Sequence, residues 1–270
     1  MSLVAGIAAI VVGFLSGVLS GMFGIGGGAL TTPGIRLLGA TPIEAVGSTI
    51  PAILPGSLSG AWRYRRAGLI DWRVAAICGA VGSGMAVAGG LLSDHVNAHY
   101  LMLLTAALLL WSGIKTLRSV RAPLTVPVPG VDDGEITRDA DLEGPEMEPG
   151  TVAVAAVGAL SGLLAGLLGV GGGVVMVPAF TTLLHVSPKR AVATSLVAVA
   201  VFSIPAVVTH AALGHIHWGF ALCLLVGVVP GAQLGAHLTI GGSERRLRLL
   251  MGIFFTVLAL GYGLAELRSL

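Results

Sequence analysis

The chain has 270 residues, 55% of them hydrophobic and only 10% charged, with a mean hydropathy of +0.94. Soluble domains carry roughly 25% charged residues, so this composition excludes an ordinary soluble domain and reads as an all-α polytopic membrane protein. A net charge of +2, with arginines at segment ends and in no stripe, leaves no footprint for a nucleic-acid partner, and the lack of strand alternation excludes an outer-membrane barrel.

No Lys or Arg precedes the first apolar run, so no cleavable leader is expected and residues 3–23 should stay in the mature protein. That run ends in Gly24-Ile25-Gly26-Gly27-Gly28 and is followed by a short apolar stretch, 29–38, with Pro33 inside it. Three spans follow at about 43–62, 74–92 and 98–117. Residues 120–150 then change character. Pro123, Pro127 and Pro129 precede eight of the thirteen acidic residues, a composition that cannot bury apolar surface and predicts an aqueous tether. Beyond it come 152–168, a second break at Gly169-Val170-Gly171-Gly172-Gly173, a short run 174–184 with Pro178, and spans at 191–209, 220–239 and 247–264.

The second half repeats the first. Val12-Gly13-Phe14-Leu15-Ser16-Gly17 matches Val157-Gly158-Ala159-Leu160-Ser161-Gly162, and Ser48-Thr49 matches Thr194-Ser195. Gly68-Leu69-Ile70-Asp71-Trp72 matches Gly214-His215-Ile216-His217-Trp218. The organisation is therefore two membrane repeats, 1–119 and 151–270, joined by the acidic linker 120–150. Equivalent loops carry opposite charge. Arg63, Arg65, Arg66 and Arg73 crowd one loop whose mate has only histidines, and Arg245, Arg246 and Arg248 lie in a loop whose mate, 93–99, has no Lys or Arg. Under the positive-inside rule the two halves then have inverted topology. That needs an odd number of crossings per half, which follows if each glycine break forms a hairpin; 29–38 is too short to span. The linker is then cytoplasmic, both termini lie outside, and the membrane is the inner cell membrane.

Three consecutive glycines carry a high backbone entropy cost in a helix, and a break frees N–H and C=O groups. Such groups persist in a bilayer only where protein or a polar cavity satisfies them. A helix starting after the break would aim its N-terminal N–H groups and positive dipole end inward, a site for an anion. Two such starts converge near the midplane of an inverted repeat. The candidate substrate-binding residues are therefore Gly26, Gly27, Gly28, Gly171, Gly172 and Gly173, with the matched hydroxyls Thr31, Ser48, Thr49, Thr194 and Ser195. Thr32, Thr181 and Thr182 are further nearby donors, the last two taken as mates of Thr31 and Thr32. Gln233 and His237, at i and i+4 on one helical face, add a polar pair inside a span.

Other residues read as structural. Gly17 with Gly21, and Gly162 with Gly166, favour close helix packing. Glu44 and Arg190 fit interface anchors, Trp72 and Trp218 aromatic-belt anchors, and Cys78 and Cys223 small buried hydrophobes. His215 and His217 lack a third ligand nearby, so no metal is expected. No cofactor is indicated, and no nucleophile–base or Walker pattern points to an enzyme.

The doubled GxGGG-x4-P, the Ala45-Val46-Gly47-Ser48-Thr49 and Ala191-Val192-Ala193-Thr194-Ser195 stretches, and the Gly-x-Ile-x-Trp closing each unit resemble the TauE/SafE family of sulfite-exporter-like permeases. The likeness covers nearly the whole chain apart from the linker. It departs where the first unit reads Gly47-Ser48-Thr49-Ile50-Pro51 against the family's more usual Gly-Thr-Ser-Leu. The resemblance implies a secondary transporter of small sulfur-containing anions, such as sulfite, sulfoacetate or other organosulfonates, driven by a coupling ion (proton or sodium). Working by alternating access, it would have the lipid bilayer and the anion as its partners. The residues leave a passive anion channel, or a carrier of small carboxylates, open on the same scaffold. They do not define an oligomeric state.

Overall fold

The computed structural model describes residues 3–93, 95–96, 98–121, 150–169, 171–184 and 186–267. The acidic stretch 122–149, and with it nearly all of the predicted tether, lies outside the described residues.

Among the described residues there are ten helices: α1 (Leu3–Phe23), α2 (Gly28–Leu37), α3 (Pro42–Arg66), α4 (Trp72–Leu92), α5 (Ala98–Arg121), α6 (Thr151–Leu168), α7 (Gly173–Leu183), α8 (Pro188–Ala212), α9 (Trp218–Gly241) and α10 (Glu244–Leu267). The order of one long, one short and three long helices is made twice, as the repeat requires. Helices α1, α4, α6, α8 and α9 are long and apolar enough to cross a membrane. Helices α3, α5 and α10 match them in length and keep their charges near their ends. The protein is a multi-pass helical membrane protein.

Local chemistry sets the helix ends. Thr41 and Glu44 close a capping box at the start of α3, with Pro42 in its first turn. The Gly-x-Ile-x-Trp motif is a helix–turn–helix joint. Gly68 and Gly214 end α3 and α8 in the left-handed region, at φ +69° and +72°. Three residues on, Asp71 and His217 cap α4 and α9, accepting from the N–H of Val74 at 3.0 Å and Phe220 at 3.4 Å. Trp72 and Trp218 then open those helices, both more than half exposed.

Contacts at the glycines fix the helix directions. Gly13, Gly17 and Gly21 of α1 abut Leu224, Val228 and Ala232 of α9 in step, so these helices run parallel. In the other half Gly158, Gly162 and Gly166 of α6 abut Cys78, Gly82 and Ala86 of α4, again parallel. Helix α3 runs with α9 (Gly56 on Val228, Gly60 on Ala232) and α8 with α4 (Gly79 on Val201, Gly90 on Thr209). Helices α3 and α8 are antiparallel, because Gly47 meets His215 and Gly60 meets Leu196. So are α5 and α10, with Gly113 on Thr256 and Gly252 on Leu117. Equivalent helices of the two halves therefore point in opposite directions. The halves also interlock, since each first helix packs mainly on the other half's fourth.

Helix α2 folds back along α1, with Gly27 beside Ser16 and Ser20 and Gly34 against Val12. Gly172 meets Ser161 in the same way. Each break is thus the tip of a hairpin. These directions collect Arg63, Arg65, Arg66, Arg73, Lys115, Arg118, Arg121, Lys189, Arg190, Arg245, Arg246 and Arg248 at one end of the bundle. Arg36 is the one described Lys or Arg at the opposite end.

Candidate functional site

The two hairpin tips meet. Gly173 packs on Gly24 and Ile25, and Gly171 on Ile25 and Gly26. The crossing lies between α3 and α8, where a methyl group at Gly26 would sit 2.8 Å from Val199 and 3.2 Å from Ile53. Ile53 and Val199 are equivalent residues of the two repeats, so Gly26 sits where the halves' symmetry-related surfaces face one another.

Backbone conformation explains the glycines. Gly24, Gly26 and Gly27 have φ of +71°, +78° and +88°; Gly169, Gly171 and Gly172 have +64°, +92° and +64°. Side-chain-bearing residues rarely occupy that region. Gly27 and Gly172 are the N-caps of α2 and α7, and Gly28 and Gly173 are their first residues. All six candidate glycines, Gly26–Gly28 and Gly171–Gly173, are therefore brought together at one buried crossing.

The hydroxyls divide. Ser48 accepts the N–H of His217 at 2.8 Å, and its repeat mate Thr194 accepts the N–H of Asp71 at 3.0 Å. Each pins the cap of a helix in the opposite half, a structural use that spacing along the chain did not reveal. Ser195 donates within its own helix to Val192 at 2.9 Å or across to Gly24 at 3.0 Å. Thr31 bonds the Gly27 carbonyl at 3.1 Å, and Ser16 bonds the same carbonyl from α1. Thr49 is buried with no hydrogen-bond partner.

Two sequence expectations need correction. Thr181 and Thr182 are not register mates of Thr31 and Thr32; Met176 and Val177 hold those positions, and both threonines bond carbonyls one turn back in α7. Gln233 and His237 do share a face of α9, but it is the exposed one, away from the crossing. The packed face is marked by Gly227, Gly231 and Gly235 against α1.

Other residues at the site escaped the sequence reading. Ser20, Ser57 and Ser161 are buried hydroxyls without a partner, like Thr49 and Thr32. Ser20 lies beside Gly27. Thr49 and Ser57 flank Ile53 one turn either side, on the α3 stripe that touches Gly26. Tyr64 donates to the Gly21 carbonyl at 2.8 Å, and His210, its repeat mate, holds the Gly166 carbonyl at 3.0 Å. His210 also pairs with His215, Nδ1 to Nδ1, at 3.1 Å.

A bundle of long apolar helices crossed at two buried backbone breaks defines a polytopic membrane protein. Its sequence places it more narrowly: the chain belongs to the sulfite exporter TauE/SafE family, whose sequence profile matches residues 9–262. It is 28% identical to the probable membrane transporter protein YunE of Bacillus subtilis, over 90% of this chain and 92% of that one. It is 26% identical to a probable membrane transporter protein of Xylella fastidiosa, over 92% and 91% of the two chains. To the probable membrane transporter protein MJ0441 of Methanocaldococcus jannaschii the identity is 23%, over 93% and 92%. No solved structure gives a significant match.

Proposed function

We propose that the protein is a secondary transporter of small sulfur-containing anions, such as sulfite or an organosulfonate, and that its cargo binds at the crossing of the two glycine breaks. The observation that carries this reading is the group of partnerless hydroxyls there. Leaving a buried hydroxyl unpaired costs about 1–3 kcal/mol; Ser20 lies beside Gly27, and Thr49 and Ser57 lie one helical turn either side of Ile53, which faces Gly26. An oxyanion with three acceptor oxygens would satisfy such neutral donors without a fixed cation holding it too tightly to leave.

The donors are unequal between the halves. In the second repeat Ala165 replaces Ser20, Ser195 replaces Thr49 and is bonded, and Ser203 replaces Ser57 and bonds Ala200 at 2.9 Å. Cargo contacts are therefore assigned chiefly to Ser20, Thr49 and Ser57 of the first repeat, with the backbone of Gly26–Gly28 and Gly171–Gly173. The close approach of Val199 and Ile53 to Gly26 supports a mechanism in which the halves shift about the crossing, as in alternating access. Antiparallel equivalent helices support an inverted repeat. The basic end supports a cytoplasmic face there, with the linker inside, both termini outside and an inner-membrane location. A proton or sodium gradient would supply the drive.

The test is a thermal-shift screen of the purified protein against sulfite, sulfate, thiosulfate, sulfoacetate, taurine, simple carboxylates and chloride. An anion at about 100 times its dissociation constant stabilises by roughly 2.7 kcal/mol. Stabilisation by a sulfur oxyanion or sulfonate, lost in Thr49→Val/Ser57→Ala, is the expected result. Stabilisation that survives both substitutions would remove the site, and a carboxylate acting alone would change the cargo.

A further inference from the structure

We infer a binding site for the headgroup of an anionic phospholipid in the open cavity between α3 and α9, at the basic end of the bundle. The cavity has a volume of about 420 Å³ and is lined by Trp62, Arg63, Arg66, Ala67, Gln233 and Ile240. Its polar side chains are two guanidiniums and one carboxamide, with no carboxylate in the wall. The Arg66 guanidinium lies over the Trp62 ring at 5.3 Å, and Arg65 stacks on the same ring at 5.7 Å. This stacking holds a long side chain in place without neutralising it. Neither Arg63 nor Arg66 pairs with a carboxylate among the described residues. Lys189 donates to the carbonyl of Ile240 at 3.1 Å and adds a cation beside the wall. Such a wall attracts a phosphate.

Two observations favour a lipid over a soluble anion. The cavity lies on the outer flank of the bundle, where Trp62 is 52% exposed, and it stands apart from the glycine breaks. Towards the middle of the same two helices, Leu58 and Val226 are exposed at 54% and 59%, an apolar strip suited to acyl chains below a headgroup. The second observation is asymmetry. The repeat positions equivalent to Trp62, Arg63, Arg66 and Gln233 are Val208, Thr209, Ala212 and Val87. The duplicated scaffold therefore does not create this cavity chemistry by itself, and the cavity lies at the end where an anionic inner leaflet is expected.

The experiment uses the full chain in detergent, with lipid binding followed by native mass spectrometry and thermal unfolding. Phosphatidylglycerol is compared with phosphatidylcholine, and glycerol phosphate serves as a headgroup without chains. Phosphatidylglycerol should bind at least about tenfold more tightly than phosphatidylcholine. That preference should vanish in Arg63→Gln/Arg66→Gln and persist in Arg245→Gln/Arg246→Gln, which removes the same charge at the same end. Equal loss in both double variants, or no loss in the first, overturns the site. Glycerol phosphate stabilising as well as the intact lipid would make it a soluble-anion site instead. If Arg63→Gln/Arg66→Gln fails to fold, Gln233→Leu keeps both arginines and should weaken phosphatidylglycerol binding selectively; unchanged binding there counts against the proposal.

Discussion

Gly27 and Gly172 are equivalent in sequence, and substitution at the two sites should cost different amounts. Both have positive φ, but a methyl group at Gly27 meets nothing closer than 3.4 Å, while one at Gly172 runs into the Ser161 carbonyl. Gly27→Ala therefore isolates backbone strain, about 1–2 kcal/mol, and should lower the unfolding midpoint modestly in a protein that still folds. Gly172→Ala adds a backbone clash and should lose clearly more; equal losses in thermal unfolding would contradict this. Tyr64→Phe should cost about 1 kcal/mol by stranding the Gly21 carbonyl, measured in the same way. At this scale the glycines were legible, because only a backbone requirement explains three in a row, twice. The uses of Ser48 and Thr194 were not, since their partners are backbone N–H groups 169 and 123 residues away. Tyr64 and His210 were hidden because unlike side chains do the same job at equivalent positions.

Helices α1 and α6 owe their close approach to α9 and α4 to glycines every fourth residue, a spacing that stacks them on one face. A Cβ at Gly162 would strike the backbone of Gly82, and one at Gly17 that of Val228. Gly162→Leu and Gly17→Leu should each destabilise by about 1–3 kcal/mol or more. The same exchange at Gly84, where a Cβ meets nothing within 4 Å, should be close to neutral. The existence and place of every helix could be read from the apolar runs, though α3, α5, α8 and α10 continue a few residues past them, and the packing role of Gly17 and Gly162 from their spacing. The facing of α9 was harder. Inside a bilayer both faces of a helix are apolar, so Gln233 and His237 looked like an interior pair. Gly231 and Gly235 precede Gln233 and His237 respectively by two residues, about 200° around the helix, and that offset places the polar pair outside. Small residues, more than polar ones, mark the packed side of a membrane helix.

The whole molecule is two interlocked repeats with nearly all described positive charge at one end. Arg65 and Arg36 stand at opposite ends, so single cysteines there should react oppositely with a membrane-impermeant thiol reagent. In a background with Cys78 and Cys223 replaced, Arg36→Cys should label from outside the cell and Arg65→Cys only in inverted vesicles. The reverse pattern would refute the assigned orientation. The twice-made order of long and short helices was readable in sequence from the recurring motifs. The interlocking was not, because the sequence orders helices along the chain and does not say which half each hairpin docks against.

If an anion crosses where the two breaks meet, as proposed, proteoliposomes should show counterflow. Vesicles loaded with unlabelled sulfite or sulfonate should accumulate the labelled anion saturably in the wild type. Thr49→Val/Ser57→Ala should lose most of that uptake, while Arg245→Gln/Arg246→Gln keeps it. Undiminished counterflow in Thr49→Val/Ser57→Ala would contradict the site. Wild-type flux that neither saturates nor responds to the loaded anion would contradict the carrier and leave a channel.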